Sequence, residues 1–277
     1  MEFLTDIFEY DYLLNALIAC ILSGIACGIV GTYVVARRMV FLSGGITHAS
    51  FGGVGMALYY GLNPLLGAFA FALLAAFGVE YASSKGRIRE DSAIGLMWSV
   101  GMAVGVLFMS MRNGYVSGDL SSYLFGSITT VTNSDVYAMA LLTLVLLVGA
   151  SLWLRPVMYV AFDRDYSRSA DIPTAVISYV MAAVVAVTIV LSIRIMGIVL
   201  LISLLTMPAI ISNVFVGSYT KIVPCASLIA TFASVMGLVL SYYFEIPSGS
   251  AIIFVLTFTL IIVKLLSLHP KKVMFRK

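Results

Sequence analysis

The chain has 277 residues, of which 61% are apolar and 10% charged, and its formal net charge is +3; the mean hydropathy is +1.08. A soluble domain carries about 25% charged residues, so too few charges are present to cover a globular surface and lipid must be much of the solvent. Water-soluble enzymes and nucleic-acid-binding proteins are excluded at this step.

Residues 1–12, MEFLTDIFEYDY, hold four acids and no Lys or Arg. A secretory signal starts basic, so this stretch is read as an extracytoplasmic N-terminus leading into an uncleaved first span. A helix crosses the hydrocarbon core with about 20 apolar residues. By that measure the spans are Leu13–Ala36, Val40–Gly61, Asn63–Ala82, Ala93–Met111, Ser134–Leu154, Thr174–Ile193, Ile195–Val216, Ile222–Tyr243 and Gly249–Ser267. The expected fold is an all-α polytopic membrane protein with about nine transmembrane helices. Eight is the alternative count, because glycines interrupt the second span.

Cytoplasmic loops collect Lys and Arg. With nine crossings and the N-terminus outside, Arg37, Arg38, Lys85, Arg87, Arg89, Arg155, Arg164, Arg168, Lys221, Lys271, Lys272, Arg276 and Lys277 fall inside, and Arg112 and Arg194 outside. Lys264 sits in the last turn of the final span and snorkels inward. The orientation is therefore N-out, C-in. No repeat or linker divides residues 1–277, which form one transmembrane domain ending in a basic cytoplasmic tail, 268–277. Cys20, Cys27 and Cys225 lie in apolar stretches without a CxxC pair and are read as packing residues.

The second span contains "GGITHASFGG", Gly44–Gly53, with one of the chain's two histidines. His48 falls about eight residues into the span, roughly 12 Å at about 1.5 Å per residue. Ionisable groups at that depth are costly and face cavities or pathways. Gly44, Gly45, Gly52 and Gly53 would let the helix break or gate, as interrupted helices do in transporters. Thr47 and Ser50 add oxygens beside the imidazole, itself a common metal ligand. A pathway histidine is the favoured reading; a histidine bonded to a neighbouring helix, with glycines for close packing, is the alternative.

Two loops are longer than connections need. Arg155–Pro173 mixes apolar and charged residues between Pro156 and Pro173, which suits a short amphipathic helix on the cytoplasmic face. Its periodicity fits a lipid-surface helix and a docking element equally well. Gly118–Ser127, "GDLSSYLFGS", lies outside, too short to span and too apolar for a plain loop.

Five stretches in order carry a resemblance: "GGITHASFGGVGMALYYG", "GDLSSYLFGSI", "FDRDYSRSADI", "MGIVLLISLLTMPAIIS" and "YYFEIPSGSAIIFV". Together they resemble the membrane permease of ABC importers for zinc, manganese and iron, from about Leu13 to Leu266. The resemblance implies a bacterial cytoplasmic-membrane permease that works as a two-fold dimer. Each copy binds a cytoplasmic ABC ATPase, and an extracytoplasmic metal-binding protein delivers the ion. The transported species is a divalent metal ion, no cofactor is held permanently, and ATP belongs to the partner. The absence of any Gly-Lys dipeptide, and so of a P-loop, agrees. Residues Phe162, Asp163, Arg164, Asp165, Tyr166 and Arg168 then belong to a coupling helix, and Asp119 near the outer mouth either meets the delivery protein or caps a helix. Two positions depart from the family. Gly44 stands where it commonly has Asp, one turn before the histidine. Asp171 stands where the coupling element has Gly. A site short of hard oxygen ligands disfavours manganese more than zinc, which puts zinc first.

The rival class is an ATP-independent secondary transporter or channel, which needs an acid buried in the membrane. Glu80, Glu90, Asp91 and Asp135 all lie near span ends, so no buried carboxylate is expected. An intramembrane protease lacks its nucleophile motif.

Overall fold

The computed structural model of the protein describes residues 2–84, 88–111 and 131–268. They form helices α1 (Glu2–Glu9), α2 (Asp11–Ala36), α3 (Val40–Tyr59), α4 (Pro64–Ser84), α5 (Glu90–Ser110), α6 (Asn133–Phe162), α7 (Arg164–Ser169), α8 (Thr174–Met196), α9 (Ile198–Phe215), α10 (Tyr219–Phe244) and α11 (Ser248–Leu268). Lipid dictates this outcome, because a helix bonds every backbone N–H and C=O within its own segment. All nine expected spans coincide with helices. Among the described residues, however, seven are long and apolar enough to cross a membrane: α2, α4, α5, α6, α8, α10 and α11. In α3 the apolar run is diluted by glycines, hydroxyls and His48, and α9 spans only 18 residues, Ile198–Phe215.

Side-chain contacts at the helix ends fix the topology. At one end Arg37, just past α2, meets Glu80 late in α4 and Glu90 at the start of α5. There too the Phe162 ring lies 4.4 Å from that of Tyr219. This is the basic end. At the opposite end Asn15 donates to Asn133 at 2.7 Å, Tyr59 meets Phe108 at 5.4 Å, and Tyr242 donates to Asp6 of α1. Helices α2, α4 and α6 therefore run from the opposite end to the basic one, whereas α3, α5 and α10 run from the basic end to the opposite one.

Helix α2 lies at the centre of the bundle. A Cβ at Gly24 would come within 2.6 Å of the Thr231 Cα, while Gly28 meets Ser227 and Gly31 the Leu205 carbonyl. Small residues let backbones approach where no hydrophobic force drives helices together. Between α8 and α9, Gly197 adopts φ 80°, which ends one helix and starts the next.

One sequence expectation is corrected. The fifth span does not stop at Leu154: α6 runs on to Phe162 with Pro156 inside it, so Arg155–Pro173 is not one amphipathic helix. Ahead of the first span, α1 buries Phe3 and Ile7 against the bundle.

Candidate functional site

Helix α3 passes unbroken through Gly44, Gly45, Gly52 and Gly53. The helix break expected there is absent, and the glycines serve proximity. A Cβ on Gly52 would lie 2.5 Å from the Gly101 carbonyl oxygen of α5, one on Gly45 would lie 2.7 Å from Ile94, and one on Gly53 would overlap the Gly67 carbonyl of α4. The missing side chains bring α3 into backbone contact with α4 and α5.

That packing leaves His48 half-buried, its ring stacked on Trp98 of α5 with centroids 4.2 Å apart and planes 10° from parallel. One turn earlier, Gly44 faces Trp98 as well, and Ile202 beside it. A Cβ there would sit 3.1 Å from the Ile202 Cδ1 of α9 and 3.5 Å from the Trp98 ring. This face of α3 is an apolar wall. Thr47 and Ser50 are fully buried, and each hydroxyl donates to its own helix, to the carbonyls of Ser43 and Ile46. The structure thus spends their protons on the backbone. Among the described residues no three His, Cys, Asp or Glu side chains converge on one point. Trp98 and Ile202 gave no motif; one of only two tryptophans inside an apolar span was the available signal.

At the basic end, α6 stops at Asp163, whose backbone swings to φ −145° and ψ 100°. Its carboxylate caps α7, accepting from the amides of Asp165 (3.0 Å) and Tyr166 (2.9 Å). Phe162 and Tyr166 remain exposed, and Arg168 pairs with Asp165 at 3.5 Å on the surface. Helix α7 ends in a left-handed turn: Asp171 has φ 57°, the Asp171 amide donates to Arg168 and the Ile172 amide to Ser167. This is a Schellman cap, in which glycine is favoured because a Cβ strains the left-handed region. Asp171→Gly is expected to stabilise the protein by about 1 kcal/mol, seen as a raised melting temperature in detergent; a lowered one would contradict the cap.

Arg164 opens α7 and does what the sequence did not foresee. It pairs with Glu80 and donates to the Ser178 hydroxyl of α8 at 2.8 Å. Glu80 is 3% exposed and also takes Arg37 at 2.8 Å. The expectation that no carboxylate is buried is corrected here. Glu80 is buried between two guanidiniums, and buried Asp135 caps α6, accepting from Thr132. Both carboxylates are engaged at helix ends. Burial opposes the charge on Arg37, and its neighbours Tyr33 and Glu80 more than offset it, so its pKa is raised. Asp119 and Gly118–Ser127 lie outside the described residues.

The profile of the ABC 3 transport family matches residues 9–267. The chain belongs to the ABC 3 transport family. Across 93% of this ABC 3 chain it is 28% identical to the "Manganese transport system membrane protein MntC" of Listeria monocytogenes, covering 91% of that protein. It is 34% identical, over 87% of itself and 84% of the relative, to a "Probable metal transport system membrane protein" of Chlamydia muridarum. Among solved structures it resembles PsaBC from Streptococcus pneumoniae in complex with Fab, with a TM-score of 0.84 and 27% identity, covering 95% of this chain and 94% of that one. As an ABC 3 member with seven apolar helices, the protein is a multi-pass metal-transport permease of the bacterial inner membrane.

Proposed function

We propose that the protein forms, as a two-fold dimer, the path of an ATP-driven importer for a divalent transition metal, oriented N-out and C-in with nine crossings. A cytoplasmic ABC ATPase docks at the basic end, on the segment bearing Phe162, Asp163, Arg164, Asp165, Tyr166 and Arg168. An extracytoplasmic binding protein delivers the ion, with Asp119 near its docking side. The observation that carries this reading is the half-buried imidazole of His48, held on a continuous helix against Trp98 within an ABC 3 chain. One imidazole per copy suits transit, since a path that binds tightly does not release.

Zinc is placed ahead of manganese and iron. The Listeria relative is named for manganese, but here Ile202 and Trp98 stand where a carboxylate would harden the site, and manganese depends more on hard oxygen ligands. The rival, ATP-independent transport, has no disengaged buried carboxylate among the described residues to couple to: Glu80 and Asp135 are both occupied.

The test is reconstitution of the permease with its co-purified ATPase and binding protein in proteoliposomes, reading zinc, manganese and iron by mass spectrometry. ATP-dependent accumulation with zinc foremost is expected. Manganese uptake that exceeds zinc would overturn the metal assignment, and uptake indifferent to ATP would overturn the importer reading.

A further inference from the structure

We infer that Glu80 is the joint through which α7 moves the helix that carries His48. The inference rests on the transport reading above and goes beyond it, naming a residue absent from the coupling segment. Five elements meet in the network built on this carboxylate, three at it directly and two through its arginines. Glu80 belongs to α4, Arg37 follows α2, Arg164 opens α7, Ser178 lies on α8, and Glu90 at the start of α5 stands 3.7 Å from Arg37. One oxygen of Glu80 takes Arg37 and the other takes Arg164. The clamp therefore has a distinct hold on each side, like a pin between two levers.

The levers lead to the site. Arg37 precedes Val40, the first residue of α3, by three positions, and His48 lies eight residues further, about 12 Å along the axis at about 1.5 Å per residue. Helix α4 grips the same α3 a second time, where Gly53 and Gly67 are in backbone contact. A displacement of α7 thus reaches α3 by two rigid routes, through Arg37 at its start and through α4 along its length. Packed contacts with discrete arrangements carry such coupling.

Stability alone does not call for these charges. A buried ion triad replaced as a whole by apolar residues is often neutral or stabilising, whereas removing one member leaves charges uncompensated. What the charges supply is a directed connection between α7 and a helix it does not otherwise hold. Glu80→Gln would leave two guanidiniums facing a neutral amide and release α7 from the joint.

The reconstituted complex with ATPase and binding protein tests this by the ratio of metal ions imported to ATP hydrolysed. For Glu80→Gln the complex is expected to retain most of its ATP hydrolysis while the ratio falls about tenfold, within the range of measured coupling energies. A triple variant, Arg37→Met with Glu80→Leu and Arg164→Met, removes the three charges that meet at the carboxylate, leaves only the part-exposed Glu90, and guards against a folding defect; it is expected to assemble and to show the same fall. Glu80→Asp keeps the charge and is expected to recover part of the ratio. An unchanged ratio in Glu80→Gln or in the triple variant overturns the inference. A wild-type complex without ATP-dependent uptake overturns the transport reading itself, while a wild type that transports beside an unchanged variant overturns this inference alone.

Discussion

Gly53→Ala is expected to destabilise the protein by about 3 kcal/mol, the upper end of the overpacking range. The reason is the identity of what its single added carbon would strike. At Gly53 that carbon overlaps the carbonyl of Gly67, while a Cβ on Gly67 would in turn overlap the carbonyl of Gly53. No side chain stands at the contact to rotate away, so α3 and α4 must separate along their length. Marginal stabilities of about 5–15 kcal/mol make a loss of this size visible as lower abundance in the membrane and a lower melting temperature in detergent. Gly95→Ala on α5 is the matched control. Nothing lies within 4 Å of its Cβ, and alanine there improves helix propensity by up to about 1 kcal/mol. If Gly53→Ala melted with the wild type, the close approach of α3 to α4 would be wrong.

The same glycines show what sequence could and could not convey. Runs of apolar residues located these helices, because lipid leaves the backbone no alternative to helix, and the boundary read between Ile193 and Ile195 lies within a few residues of Gly197, where α8 gives way to α9. Gly44, Gly45, Gly52 and Gly53 were legible as unusual but not as packing residues. A glycine is chosen either for its backbone freedom or for its missing side chain, and only the neighbour across the gap distinguishes the two. Pro156 misled in a similar way: it suggested a helix boundary, yet α6 continues through it to Phe162, since neighbouring groups in a packed bundle tolerate a freed carbonyl. Glu80 was the largest omission. Its position near a span end fits a solvated acid, and its burial depends on Arg37 and Arg164, which are 43 and 84 residues away in sequence. His48 was singled out from the pattern alone, whereas Trp98, which stacks on it, and Ile202, which stands beside Gly44, come from helices that carry no motif.

His48→Ala and His48→Phe are together expected to cut ATP-dependent metal uptake at least about tenfold, a change that needs only about 1.4 kcal/mol in the transit barrier. The pair is needed because the imidazole has two candidate duties. Its ring stacks on Trp98 at 4.2 Å, a contact phenylalanine can reproduce, and its nitrogens can bind a passing cation, which phenylalanine cannot. Alanine removes both duties while keeping α3 a good helix, so a fall in the alanine variant alone would be ambiguous. A fall in the phenylalanine variant, with membrane abundance and ATP hydrolysis retained, assigns the loss to the nitrogens. The apolar wall of Ile202 and Trp98 strengthens the expectation, because at Gly44 no carboxylate stands by to take over. Wild-type uptake by His48→Phe would make His48 a packing ring against Trp98, and the ion would then have to pass the permease by another face.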